Sequence, residues 1–246
     1  MTLPPVTSAL RTEFAPTGAL RAGINHGNPV LANKDPATGE LKGVAVDLAR
    51  ELGRRLELPV TLVAFTSAGA MTDALEQGAW DVAFLAAEAG RADRLGFSAP
   101  HLIIEGAYLV PEKSAFRVNA DVDREGVRVA VSAKSAYDLY LSRNLKYAEL
   151  VRAPGILGAR ELYVGGKVDV LAGVRQLLAA DAVKLPGARL LDGRFMAIEQ
   201  AAGMPKAREA ALRYLRGFIE EMKSSGFVAT ALERAGVRDV MIAPAG

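Results

Sequence analysis

The sequence predicts an α/β protein assembled from two parallel βαβ units. Three observations carry this reading. A strand, helix, strand rhythm runs from Leu20 to Leu85, the rhythm restarts between Gly126 and Ala172, and an extended apolar stretch, Glu105–Phe116, separates the two. With 246 residues and 50% hydrophobic content, there is enough apolar side chain for one large core or two smaller ones.

Leu20-Arg-Ala-Gly-Ile24 reads as a short strand, and the turn formers His26-Gly-Asn-Pro-Val30 as the loop behind it. Ala45, Leu48, Ala49, Leu52 and Leu56 recur at helical spacing, and the β-rich run Pro59–Phe65 completes a βαβ unit. Ser67 is placed to cap a helix that turns Met71 and Leu75 inward and stops at Gly78, before a buried strand Asp81–Leu85. In the second unit Gly126–Val131, Glu149–Arg152 and Lys167–Ala172 read as strands, with Ser135–Leu145 and Gly158–Val164 as helices. Arg194–Gln200 reads as a strand returning to the first unit. The expected domains are therefore 1–110 with 195–246, and 111–194. A long amphipathic helix follows, with Ala211, Tyr214, Leu215, Phe218, Ile219 and Met222 on one face, then a shorter one around Phe227–Arg234 closed by Gly236.

Composition narrows the function. Thirty Lys and Arg against 28 Asp and Glu leave a formal charge of +2, which is not the basic surface that nucleic acid requires. No nucleic-acid partner is expected. The absence of Cys excludes disulfides, thiolate catalysis and Cys-based metal sites, and with two His residues neither a metal nor a cofactor is expected. No run approaches the roughly 18 to 20 apolar residues of a membrane helix, and Met1–Gly18 lacks the basic start and apolar centre of a signal peptide. The chain reads as periplasmic if a leader has been removed, and as cytoplasmic otherwise.

Three strings carry a family resemblance. Leu20–Ile24 followed by Gly39-Glu-Leu-Lys-Gly-Val-Ala-Val-Asp-Leu-Ala49, then Gly78-Ala-Trp-Asp81 with Arg91 and Phe97-Ser-Ala-Pro-His101, then Gly165-Gly-Lys-Val-Asp169, resemble the successive motifs of the type II periplasmic solute-binding proteins of ABC importers, amino-acid-binding (family 3) type. Each string alone has a plainer explanation, since Gly-x-x-Asp is a common turn into a parallel strand. Their order over Leu20 to Gly236 is what is specific. The resemblance implies two α/β lobes with parallel-rich sheets flanked by helices, joined by two hinge strands, with the ligand buried in the cleft. It further implies a monomer that serves an importer's membrane component.

In that family the Arg six positions before the Phe-Ser pair grips the ligand's carboxylate, which here is Arg91. A guanidinium offers the planar fork that two carboxylate oxygens fit. Arg94 competes for the role, and the plainer reading of Arg91 is a solvated pair with Asp93 or Glu88. The family's hydroxyl-rich stretch is replaced by Leu85-Ala-Ala-Glu-Ala-Gly90, which leaves backbone N–H groups of Ala86 or Ala87 to assist and Glu88 to orient Arg91 or meet a cationic part of the ligand. Asn25, His26 and Asn28 lie on the loop after the first strand, where ligand contacts gather in open α/β sheets. Phe65, at the end of the next strand, occupies a position where the family has an aromatic cover.

In the second unit Ala133-Lys-Ser-Ala136 resembles the family's turn into a helix that binds the carboxylate, with Ser135 as contact or simply as N-cap, and Lys134 where Gly is usual. The family's ammonium-binding Asp lies five residues beyond the motif Asp. Here that position is Val174, so the resemblance favours an amino acid less than a keto, aromatic or dicarboxylic acid, with Arg175 or Tyr137 meeting its second polar group. Two other classes compete with the receptor. One is an enzyme on the same fold, similar to cyclohexadienyl dehydratases, with Glu88, Glu105 or Glu199 as acid. The other is a cytosolic ligand sensor.

Overall fold

The computed structural model of the chain describes residues 3–246. It forms two compact units, one made of residues up to Thr66, Ala70–Ile103 and Glu199–Gly246, the other of Ser67–Gly69 and Ile104–Ile198. The chain thus leaves the first unit after Ile103 and re-enters it at Glu199.

The first unit opens with α1 (Ser8–Phe14), whose N-cap Thr7 accepts a hydrogen bond from the N–H of Leu10 and which buries Leu10 and Phe14. Then follow β1 (Leu20–Asn25), a small antiparallel pair β2 (Asn33–Lys34) and β3 (Leu41–Lys42), α2 (Val44–Leu56), β4 (Val60–Phe65), α3 (Ala68–Ala74), β5 (Val82–Ala86) and β6 (Leu95–Phe97). β1 runs parallel to β4 from Leu20↔Val60 to Asn25↔Phe65, and parallel to β5 at Ala22↔Val82. β5 is buried along its whole length, the pattern of a strand covered on both faces. Val44, Ala45, Leu48, Leu52 and Leu56 form the buried stripe of α2, which ends where Glu57 turns left-handed at φ 54°. Trp80 is buried among Met71, Ala83, Leu85 and Leu95, its indole N–H donating to the Met71 carbonyl at 2.8 Å.

β7 (Leu102–Pro111) carries the chain into the second unit, where β8 (Arg128–Ser132), α4 (Ala136–Asn144), β9 (Glu149–Ala153), α5 (Gly155–Val164), β10 (Val170–Val174), α6 (Arg175–Lys184) and β11 (Ala188–Leu190) follow. Its sheet runs β7-β10-β8-β9, with β8 parallel to both neighbours and β10 antiparallel to β7. The core is built of small residues, Ala107, Ala130, Ala153 and Ala159, with Leu109, Val168, Leu171 and Leu178. Short side chains at these positions let helix and sheet backbones approach closely.

β12 (Met196–Pro205) returns the chain and pairs antiparallel with β5 and β6. α7 (Glu209–Ser224) buries the six residues of its expected face, and Phe14 meets Tyr214 edge to face at 5.8 Å. After α8 (Phe227–Arg234), β13 (Met241–Ile242) pairs with Leu102 and Ile103. The sequence reading contained neither α1 and α6 nor the short strands β2, β3, β6, β11 and β13. It also started β10 at Lys167, three residues early, because Lys167–Asp169 is a turn in which Lys167 donates to Leu162 O.

The same ionic clamp sets the strand offset in each unit. Ahead of β5, the N–H of Asp81 donates to Arg21 O at 2.8 Å, while its carboxylate accepts from the Arg21 N–H, from the Arg21 guanidinium and from Arg208. Ahead of β10, the Asp169 N–H donates to Arg128 O at 2.9 Å, and its carboxylate accepts from the Arg128 N–H at 2.8 Å and from Nε at 3.4 Å. In both cases the residues that follow the clamped pair face each other across the parallel ladder, Ala22↔Val82 and Val129↔Val170. Burial pushes the Asp81 carboxyl up, but hydrogen bonds from Arg21 and Arg208 outweigh it and hold the group below the usual carboxylate range.

A second buried polar feature of the first unit is His101. Its ring is fully buried, edge-on to Phe84 at 6.0 Å, and among the described residues neither ring nitrogen has a hydrogen-bond partner. Burial, and then the nearby Lys223 ammonium, lower its pKa to about 3.

The two clamps differ in depth, Asp81 being fully buried and the Asp169 side chain 40% exposed. Asp81→Ala is expected to lower the unfolding free energy by about 3–5 kcal/mol, the range for breaking a buried ion pair. Asp169→Ala is expected to cost about 1 kcal/mol or less. Urea unfolding of the two variants checks this, and equal losses contradict it. His101 predicts a pH dependence: the unfolded chain binds a proton there below about pH 6.5 while the folded chain does not, so stability falls as pH drops from that value toward 3. His101→Phe removes up to about 1.4 kcal/mol per pH unit of that slope. Identical slopes between pH 6 and 4 for both proteins would exclude a buried neutral imidazole.

Candidate functional site

In the first unit three segments follow the carboxyl ends of adjacent parallel strands, and open α/β sheets gather ligand contacts at such ends. Behind β1, Gly27 approaches so close to Thr66 that a Cβ would lie 1.9 Å from its carbonyl oxygen, so only Gly fits there. On either side of it, Asn25 and Asn28 are buried; their side-chain carbonyls accept from the N–H groups of Gly27 and Val30. Among the described residues their NH2 groups carry no hydrogen bond. His26 is half-buried and donates its backbone N–H to Phe65 O at 2.9 Å. Phe65 itself packs half-buried against the cluster around Trp80, so it serves the core edge at the least.

Behind β5 the chain turns through Glu88, whose carboxylate accepts from the Gly90 N–H at 2.7 Å and caps a 3-10 turn over Ala89–Arg91. Arg91 folds back and donates from Nη1 to Ala86 O at 2.8 Å, with 4% of its surface exposed. Burial lowers its pKa to about 10, an effect that Glu88 opposes, and the guanidinium stays charged at neutral pH. Arg94, by contrast, is 56% exposed and paired with Glu76. One expectation is corrected here: the Ala87 N–H donates to Glu199 O at 2.9 Å on the returning strand β12, so it is not available to a ligand. Ala86 contributes its carbonyl to Arg91.

In the second unit the corresponding ends are those of β8 and β10. Ser132 to Ser135 is a turn closed by the Ser135 N–H to Ser132 O at 3.1 Å, and Lys134, its third residue, is left-handed at φ 58°. A left-handed backbone costs a lysine about 1–2 kcal/mol relative to its ordinary conformation. Asp138 holds the turn in place. Buried at 2% exposure, it accepts from the Lys134 N–H at 2.8 Å and from Arg152 Nε at 3.0 Å, while its own N–H donates to the Ser135 hydroxyl at 3.0 Å. Ser135 is therefore the N-cap of α4. Tyr137 is buried against Ser132 and Ser135; burial pushes its phenol up to about 12, opposed by hydrogen bonds to those two serines.

Val174 caps β10 with a buried side chain, opposite Gly106 in the antiparallel ladder. Arg175 is engaged within its own unit, by Glu105 through Nε at 2.6 Å and by Gly193 O. Arg194 reaches the other oxygen of Glu105 at 3.2 Å. Sequence reasoning missed Asp138, Arg152 and Arg194; the Ser-x-x-Asp spacing of Ser135 and Asp138, that of a capping box, was the available signal for the first. A hollow of about 500 Å³ lined by Gly78, Trp80, Arg94, Lys206 and Arg208 lies at the opposite, amino end of β5.

The chain matches the family of bacterial extracellular solute-binding proteins, family 3, over residues 20–236. Among solved structures it is similar to a P235GK mutant of ArgBP from T. maritima, with 22% identity and a TM-score of 0.77 over 92% of this chain and 99% of that one. An amino acid ABC transporter substrate-binding protein from Streptococcus pneumoniae bound to L-arginine has 16% identity and a TM-score of 0.77, over 96% and 100% of the two chains. The ancestral amino acid-binding protein AncCDT-1, a precursor of cyclohexadienyl dehydratase, has 23% identity and a TM-score of 0.75 over 91% and 98%. No curated protein matches at the sequence level. At these identities the structures establish the fold, that of the type II periplasmic binding proteins.

Proposed function

Because the chain belongs to the bacterial extracellular solute-binding proteins of family 3, we propose that it is a receptor, acting outside the cytoplasm, for a small carboxylic acid that it delivers as a monomer to an ABC importer. The observation that carries this reading is Arg91, a charged guanidinium withdrawn from water at the carboxyl end of β5 and aimed by the Ala86 carbonyl. A desolvated guanidinium binds a carboxylate bidentately and far more strongly than a solvated one does. In this reading Asn25, His26 and Asn28, on the loop behind β1 of the same unit, assist Arg91 in holding the ligand.

Val174 supports the finer assignment. A buried valine offers an α-ammonium no charge partner, and leaving such a charge unpaired costs several kcal/mol, whereas a keto, aromatic or dicarboxylic acid incurs no such cost. Arginine, lysine and glutamine, bound by similar structures, share an α-carboxylate and an α-ammonium, and in this reading the carboxylate is the part that this chain retains a partner for. The enzyme reading receives no support from the three acids it would need. Glu88 caps Gly90, Glu105 is held between Arg175 and Arg194, and Glu199 is exposed.

A thermal-shift series of amino, keto and aromatic acids identifies the class, since a ligand at a hundredfold excess over Kd stabilises the native state by about 2.7 kcal/mol. For the tightest acid, Arg91→Ala is expected to weaken binding by about 2–5 kcal/mol in calorimetry. In matched pairs, 2-oxoglutarate against glutamate and phenylpyruvate against phenylalanine, the oxo acid is expected to bind at least as tightly. An amino acid preferred by more than tenfold, about 1.4 kcal/mol, would contradict the assignment built on Val174.

A further inference from the structure

We propose that the side-chain NH2 groups of Asn25 and Asn28 select a 2-oxo acid, by donating to the oxo oxygen beside the carboxylate that Arg91 takes; this inference rests on the receptor reading above and specifies its substrate class. Both asparagines lie behind β1, and each closes a turn onto the N–H two residues ahead. Asn25 Oδ1 accepts from Gly27 at 3.1 Å, and Asn28 Oδ1 from Val30 at 3.2 Å. A backbone N–H only donates, so the atom that meets it is the amide oxygen, and the NH2 is the end of each amide that the turn leaves over.

The turns themselves do not call for asparagine. Between β2 and β3 the same kind of bond is made by Asp35, whose carboxylate accepts from the N–H groups of Ala37 and Thr38, both at 2.9 Å. Asn33 and Asn144 do use their NH2 groups, on the carbonyls of Pro29 at 3.1 Å and Tyr140 at 2.7 Å. Asn25 and Asn28 are 7% and 6% exposed, and among the described residues their NH2 groups meet no acceptor. Withdrawing a donor from water without a partner is unfavourable, and two such donors in one short loop are accounted for by an acceptor that arrives with the ligand.

The loop holds these donors before any ligand arrives. Gly27 approaches Thr66 too closely for any Cβ, His26 donates its N–H to Phe65 O, and Leu31 and Ala32 donate theirs to Asn28 O. The donors also stand beside the carboxylate's partner. β1 runs parallel to β5 with Ala22 opposite Val82 and Gly23 opposite Ala83, a register that carries Asn25 to the level of Leu85. The next residue is Ala86, whose carbonyl holds Arg91 at 2.8 Å, and adjacent strands lie about 4.8 Å apart. An acceptor within reach of these amides is therefore close to the carboxylate, as a substituent on the adjoining carbon is.

Donor and acceptor accounting chooses the substituent. A carboxylate offers about four acceptor sites and a bidentate guanidinium takes about two of them, so the two NH2 groups bring about four hydrogens to about two remaining sites. A carbonyl oxygen accepts only, which suits a loop whose side-chain amide oxygens are already committed. A hydroxyl brings a hydrogen that these amides cannot receive, and an ammonium brings nothing but hydrogens.

Calorimetry on the full chain tests the inference with two series, each sharing one side chain: phenylpyruvate, phenyllactate and 3-phenylpropionate, and 2-oxoglutarate, 2-hydroxyglutarate and glutarate. In the series that binds more tightly, the wild type is expected to prefer the oxo acid to the unsubstituted acid by tenfold or more, with the hydroxy acid between them. Asn25→Asp and Asn28→Asp retain the oxygen that each turn uses and lose the donor. An added carboxylate weakens every acid of a series, so the readout is the ratio within it, and at least one of the two variants is expected to bring the oxo preference below threefold. Asn25→Ser and Asn28→Ser, which keep a turn-forming oxygen on a shorter stem and add no charge, are expected to lower the ratio likewise. A smaller preference in the wild type, or one that survives in all four variants, overturns the inference, and binding that still depends on Arg91 then leaves the receptor reading intact. Binding of none of the six acids overturns both.

Discussion

A carboxylate placed one residue ahead of a central parallel strand, and pinned to an arginine on the neighbouring strand, governs both halves of this protein. Asp81 with Arg21 and Asp169 with Arg128 use the same three kinds of bond: aspartate N–H to arginine carbonyl, arginine N–H to carboxylate, and guanidinium to carboxylate. Each clamp fixes one offset between two parallel strands. Because side chains alternate along a strand, a slip of one residue would exchange the two buried faces of β5 and of β10 and misfit both layers of packing. The carboxyl ends are set by the same offset, and the loops behind β1, β5, β8 and β10 carry nearly every residue with chemistry to offer. Asp81 has a further task, since Arg208, just beyond the returning strand β12, also binds it.

The candidate site departs from a generic amino-acid receptor through substitutions whose consequences are physical. The stretch Leu85–Gly90 has no hydroxyl, and the Ala87 N–H is engaged by β12, which leaves the buried Arg91 guanidinium as the charged group that follows it. Val174 ends β10 with a buried apolar side chain, and Lys134 lies two residues beyond the end of β8. Glu105, the nearest carboxylate across the ladder from Val174, is itself held by two arginines and so is a weak substitute for the missing acid.

Much of this was legible in the sequence, for identifiable reasons. Runs such as Val82–Ala86 and Val129–Val131 are apolar throughout and announce buried strands, and the stripe of α7 repeats at helical spacing over four turns. α6 escaped because only Leu178 of its ten residues is buried, so no stripe forms, and α1 is too short at seven residues to show a period. Arg91 and Ser135 could be singled out from their spacing to nearby motifs. The engagement of the Ala87 N–H by Glu199 and of Arg175 by Glu105 and Gly193 could not, because those partners are brought together by pairing between strands far apart in the chain. Local patterns report which groups exist; long-range pairing decides which of them remain available.

The central claim is that the Arg91 guanidinium receives the carboxylate of the ligand. A crystal structure grown with the acid that stabilises the protein most tests it directly. The account predicts a carboxylate with its oxygens within about 3 Å of two guanidinium nitrogens of Arg91. An acid bound with Arg91 in contact only with protein groups, and its carboxylate received elsewhere, would contradict it.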